Sequence, residues 1–187
     1  MNIIMVRKNN LKKNPKLRLK TIKKIYVNII MNLNRYRNDC EFGLGCEKNL
    51  KNYFKCEYDI DIIKRESKYA IIDFYNDKYE IELKSRSNRF YWGQFDDWSI
   101  GYNKFKEGYK QITQHNKKVY FIFNLYTDYK KTERNYYIYE LTKERFEIAD
   151  TYFLKEGGNF YRNDKPHLLG QIKKEFLIPI DMCDYFK

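Results

Sequence analysis

The stretch Tyr69–Arg86 reads YAIIDFYNDKYEIELKSR. Two runs rich in β-branched and aromatic residues flank the polar triplet Asn76, Asp77 and Lys78, the pattern of a β-hairpin. With Asp77 and Lys78 as the loop pair, Asn76 faces Tyr79, and stepping back along both strands sets Asp73 opposite Glu82. Directly opposed residues on one face of an antiparallel pair have Cβ atoms about 4.5–5.5 Å apart. Two carboxylates that close repel unless a proton or a cation lies between them. On the second strand Glu80, Glu82 and Lys84 share one face, and Tyr79, Ile81 and Leu83 share the other. A hairpin with one wet, charged face has the same alternation. The first strand argues against that simpler account, because Asp73 is the lone charge between Tyr69 and Tyr75.

Composition sets the outer bounds. A chain of 187 residues can bury a sizeable core and suggests one domain, 15–187, behind a basic flexible arm over residues 1–14. Lys and Arg total 37 against 25 Asp and Glu, a net charge of +12. A surplus of that size points to a polyanion such as nucleic acid. A coding bias toward Lys, Asn, Ile and Tyr would leave the same surplus as a mere solubility surface. No apolar run is long enough to cross a membrane, and no secretory leader pattern opens the chain, so the expectation is an intracellular protein with no membrane partner. Cys40, Cys46, Cys56 and Cys183 form no Cys-x-x-Cys pair, and His115 and His167 lie far from them, so the four read as ordinary thiols rather than zinc ligands.

Outward from the hairpin, element signals come in a definite order. Pro15 can start a helix, and Leu19, Ile22, Tyr26, Ile29 and Leu33 recur at helical spacing to about Tyr36. Asn38, Asp39, Gly43 and Gly45 predict a break, followed by a second helix over about Leu44 to Cys56. On that helix Leu50, Tyr53 and Phe54 form an apolar arc, and Glu47 falls beside Phe54. A carboxylate there needs a partner, a metal, or a route to water. Glu57 to Ile63 alternates as a strand before the hairpin. Asp96, Asp97 and Ser99 supply helix-capping chemistry for a helix carrying Trp98, Tyr102, Phe105, Tyr109 and Ile112. Lys118 to Tyr126 reads as a central strand and Tyr136 to Leu141 as another. Thr142 to Ala149 looks helical, Gly157, Gly158 and Asn163 mark a loop, and Phe176 to Ile180 is a short β-like run.

An Asp at the end of one strand, followed by Glu-x-Lys, Ser and Arg on the next, resembles the PD-(D/E)XK nuclease superfamily. IELKSRS is similar to the Glu-x-Lys strand of archaeal Holliday-junction resolvases and of small phage and giant-virus nucleases. The Pro of the superfamily's name is missing, since Ile72 precedes Asp73. The helix–strand–strand–strand–helix–strand order over about 43–141 agrees with that superfamily's core. The resemblance therefore implies an α/β fold with a restriction-endonuclease-like αβββαβ core, a mixed central sheet flanked by helices.

What the resemblance implies chemically is a divalent metal, Mg²⁺ with Mn²⁺ as a substitute. Its ligands would be Asp73, Glu82 and the backbone carbonyl of Leu83. Lys84 would assist the water, Glu47 would add a carboxylate from the first core helix, and Gln111 would contribute from the helix after the motif. Lys104, Lys106 and Lys110 near that helix are phosphate candidates or simply solvated lysines. The implied activity is hydrolysis of DNA phosphodiester bonds by an endonuclease, with RNA as the other substrate class. Many resolvases and restriction enzymes cut as dimers, so a homodimer fits the resemblance. A nucleic-acid-binding protein that keeps the fold without catalysis is the alternative.

Overall fold

The computed structural model describes residues 15–67, 69–85, 90–152, 154–162 and 165–186. The basic arm over residues 1–14 lies outside them, as does Arg86. The chain divides into two compact units, Met1–Leu44 and Gly45–Lys187.

Helix α1 covers Pro15–Tyr58 as one element of 44 residues. The predicted break does not occur. A helical Gly costs only about 1 kcal/mol relative to Ala, and a Cβ built on Gly43 or Gly45 meets nothing within 4 Å. Within the first unit Arg37 pairs with Glu41 one turn on, at 2.8 Å. The side chains of Leu19, Ile22, Tyr26, Ile29 and Leu33 lie outside the described residues.

The second unit is α/β. Its main sheet has six strands in the order β1-β2-β3-β5-β6-β9. These are β1 Ile63–Lys64, β2 Phe74–Tyr75, β3 Tyr79–Ser85, β5 Lys118–Tyr126, β6 Arg134–Leu141 and β9 Ile178–Pro179. Strands β1, β2 and β3 form an antiparallel meander, β3 runs parallel to β5, and β5, β6 and β9 are antiparallel. The parallel step between β3 and β5 contains helix α2, Tyr102–His115. Asn116 ends α2 in the left-handed region at φ 52°, a conformation Asn tolerates. The expected strand over Glu57–Ile63 is instead the end of α1 and a turn at Asp59, leaving only two residues for β1.

A second sheet of three strands lies outside the sequence expectation. It has the order β4-β8-β7, with β4 Asp97–Gly101, β7 Leu154–Arg162 and β8 Lys165–Lys173. The capping residues Asp97 and Ser99 are thus strand residues, paired with Lys173 and Gln171. Trp98 belongs to β4 and not to the helix face. Gly157 and Gly158 fall inside β7, where the pairing with β8 becomes irregular between Glu156 and Tyr161. Helix α3 spans Lys143–Tyr152.

The alternation of β5 sorts the core into two layers. Its odd residues Val119, Phe121, Phe123 and Leu125 pack with Phe105 of α2, Trp98 and Ile100 of β4, and Ile172 of β8. Its even residues face α1: Asn124 donates to Cys46 Sγ at 3.4 Å, and Tyr120 meets Phe186, which in turn meets Phe54. Cys46 and Cys183 are buried, Cys40 and Cys56 exposed, and all four are thiols outside any disulfide. Among the described residues no helix is long and apolar enough to cross a membrane.

Candidate active site

The hairpin register is the one its turn predicts. Asn76 Oδ1 accepts the backbone N–H groups of Lys78 and Tyr79 at 2.9 and 2.8 Å, a side-chain-stabilised turn. Tyr75 then pairs with Glu80 and Phe74 with Ile81. One step further Asp73 comes opposite Glu82, although β2 itself stops at Phe74 and Asp73 is a bend residue. Its backbone carbonyl accepts Arg65 N–H at 2.9 Å, and its Oδ2 accepts Leu83 N–H at 2.9 Å. The Asp73 side chain therefore takes the place of the strand where the ladder runs out. Ladder alternation turns the Leu83 carbonyl toward the same side as its N–H.

Glu82 is 3% exposed, so the single wet face that alternation alone permits is not what forms. Parallel pairing sets Glu80, Glu82 and Lys84 level with Val119, Phe121 and Phe123, on the layer that α2 covers. From α2 the Lys104 ammonium donates to Glu82 Oε2 at 2.8 Å, an ion pair with side chains 18% and 4% exposed. Desolvation and the neighbouring Asp73 charge outweigh Lys104 and Lys84, and push the Glu82 carboxyl up to about 8. Burial is the larger cause, so the charged form of Glu82 stays disfavoured even with a lysine hydrogen-bonded to it.

A second buried carboxylate sits two residues earlier on the same strand. Glu80 is 1% exposed and takes two bonds of 2.8 Å from Arg65 Nη2 and one of 2.9 Å from Lys117 Nζ. Lys117 also donates to the Asn76 carbonyl at 2.9 Å. Both cations lie over the ring of Tyr75, at 4.4 and 5.7 Å from its centroid. Sequence reasoning placed Glu80 on the correct face but missed its burial and its three-way tie. It also left Lys104 as a phosphate candidate.

The remaining predicted residues fall as follows. Lys84 is half-buried, and its charge acts on Glu82. Glu47 is hydrogen-bonded to Lys64. Lys64 pairs with Phe74 and Phe74 with Ile81, so this contact lies on the α1 layer, opposite to Glu82. Gln111 donates to Glu107 Oε1 at 2.8 Å, one turn back on α2. Both line a cleft of about 590 Å³ together with Glu80, Arg65, Ile63 and Ile71. Lys106 lies over the ring of Tyr102 at 4.9 Å, and Lys110 is exposed.

Among the described residues no group of three or more His, Cys, Asp and Glu side chains converges as a ready-made metal cage. The Asp73 and Glu82 carboxylates do interact, and the Leu83 carbonyl lies on the strand edge that faces Asp73. That all-oxygen set suits a hard divalent cation, which usually keeps several waters. Asp73 Oδ1 and Glu82 Oε1 are the oxygens beyond the Leu83 and Lys104 bonds. The chain matches no protein-family model, no curated protein and no solved structure.

Proposed function

We propose that this protein is a metal-dependent DNA endonuclease built on a restriction-endonuclease-like core. One observation carries the proposal: Asp73 stands in register opposite Glu82, which is buried and whose charged form burial and the Asp73 charge disfavour. A purely structural carboxylate pair would be placed in water, neutralised, or replaced by apolar residues. Here two strands and a helix hold the pair together on a chain of net charge +12. The order α1, β1, β2, β3, α2, β5, with the meander antiparallel and β3 parallel to β5, supports the fold part of the proposal.

Asp73, Glu82 and the Leu83 carbonyl would hold Mg²⁺, with Mn²⁺ as a substitute. When bound, the ion supplies Lewis acidity at the phosphate and activates water. The residues of the chain do the positioning. Leu83 N–H fixes the Asp73 carboxylate, and Lys84, two positions from Glu82 on one strand face, would serve the attacking water or the phosphate. Lys104 offsets part of the cost of the Glu82 charge and would be a second cation for the phosphate. Glu47 remains a support for β1 through Lys64, and Gln111 serves the neighbouring cleft.

Incubation with supercoiled, linear, branched and single-stranded DNA in Mg²⁺, Mn²⁺ or EDTA tests the proposal. Cleavage is expected with either metal and none in EDTA, and activity that persists in excess EDTA would overturn it. The Lys104–Glu82 ion pair favours a second reading, a nucleic-acid-binding protein in which Lys104 permanently fills the site. That reading predicts salt-sensitive DNA binding with no cleavage under any metal.

A further inference from the structure

We propose that the cleft beside the carboxylate pair takes an unpaired nucleobase bearing an exocyclic amine, next to the phosphate that is cut. The inference rests on the nuclease reading for its substrate and on the cleft's own chemistry for its occupant. The cleft lies between the Ile63–Tyr75 segment and α2, and its volume of about 590 Å³ falls in the range of small-molecule sites. Glu80 lines it, and Glu82 follows two residues later on the same strand face. Two strand residues advance roughly 7 Å, so an occupant of the cleft is an immediate neighbour of the Asp73–Glu82 pair.

Charge decides between phosphate and base. Glu66, Glu80 and Glu107 line the cleft against Lys64 and Arg65. Lys64 is already engaged by Glu47, and Arg65 by Glu80. Among the described residues no further cation lines the space, so it suits a neutral group better than a phosphate. Shape favours a flat one. The Arg65 guanidinium is held by two bonds to Glu80 with one face over Tyr75 at 4.4 Å, yet the side chain keeps 34% exposure. A guanidinium fixed in this way is a preorganised stacking plane. Ile63 and Ile71 add apolar wall and are 50% and 37% exposed.

The polar end of the cleft reads hydrogen-bond donors. Gln111 gives one N–H to Glu107 Oε1, which orients its own carbonyl oxygen and leaves Glu107 Oε2 as a second acceptor. Two acceptors side by side suit an amine-bearing edge such as that of cytosine, and a carboxylate accepting from the cytosine amine is a favoured pairing.

The test measures binding in EDTA, so it is independent of cleavage. Fluorescence anisotropy compares short duplexes that carry, at one position, an unpaired cytosine, an unpaired thymine or an abasic spacer. Cytosine is expected to bind about ten-fold tighter than the other two, the size of one stacked and hydrogen-bonded base. Glu107→Ala and Gln111→Ala, on half-buried helix positions with melting curves as the control for folding, should each remove most of that preference. Asp73→Asn should retain it. Equal binding of cytosine and the abasic spacer or thymine, a preference undiminished in both helix variants, or no DNA binding overturns the proposal. Cleavage of the same duplexes in Mg²⁺ is scored separately. A base preference without cleavage removes the nuclease reading and leaves the cleft, and cleavage without a preference does the reverse.

Discussion

Glu82→Gln isolates the electrostatic cost on which the site is argued. The substitution keeps the volume of the side chain and an oxygen for Lys104, and removes only the titration. In the wild type, the groups facing Glu82 are Asp73 from the bend before β2, Lys84 from β3 and Lys104 from α2. Their sum with burial raises the carboxyl from 4.5 to about 8. The folded protein therefore keeps, between those two pH values, a proton that the unfolded chain releases. Stability is complete below the lower value and falls as pH rises through the upper one. The interval is about 3.5 pH units, and at about 1.36 kcal/mol per unit the limiting cost is on the order of 5 kcal/mol. From about pH 5 to about pH 8 the wild type should lose on the order of 3 kcal/mol relative to Glu82→Gln. Taking the difference between the two proteins cancels the titrating groups that do not interact with Glu82. Urea unfolding in EDTA at several pH values measures it. Mg²⁺ added at the alkaline end should restore the wild type by mass action and leave the variant unmoved. A flat difference, or a wild type that gains stability with pH, would show that Lys104 already offsets the burial of the Glu82 charge, and the argument for a cation would fail.

Three further outcomes are expected. Lys84→Ala should lower the turnover number while binding in Ca²⁺ stays nearly unchanged, because the side chain shares a strand face with Glu82; single-turnover kinetics beside a binding titration separates the two effects. Glu80→Gln leaves Arg65 and Lys117 facing a neutral amide in a buried site, and should cost about 3 kcal/mol in thermal or urea unfolding while the folded fraction still cleaves. Gly170→Ala in β8 would set a Cβ 2.3 Å from the Phe105 ring, and should cost about 2 kcal/mol by overpacking, read as a lower melting temperature with DNA binding intact.

What could be read from the chain, and what could not, follows the range of the interactions involved. The hairpin register was legible because Asn76 and the alternation around it act within a few residues. Strand β5 was legible because a strand covered on both faces is apolar throughout. The break expected in α1 did not form, because turn-favouring residues such as Gly43 and Asn38 carry only a small penalty in a helix. The second sheet escaped notice because β4 exists only by pairing Trp98 with Ile172, far along the chain, and Asp97 and Ser99 otherwise suit a helix start. Within the candidate site, the facing of Asp73 and Glu82 and the strand face shared by Glu82 and Lys84 could be read from the hairpin pattern. Lys104 and the Arg65–Glu80–Lys117 tie could not, since they depend on where α2 and the turn before β5 come to rest over β3.

The division of the carboxylate pair between unequal strands determines how the protein would fail. Glu82 belongs to a seven-residue strand bonded on both sides, whereas Asp73 hangs from the end of a two-residue strand whose outer neighbour is equally short. Such an edge opens by itself at a fraction of the free energy of global unfolding. Amides of β5 and β6 should exchange with solvent only as fast as the whole domain unfolds, and those around Asp73 much sooner. On heating, activity should then disappear while the sheet is still intact, and it should return on cooling without the slow step of refolding a core.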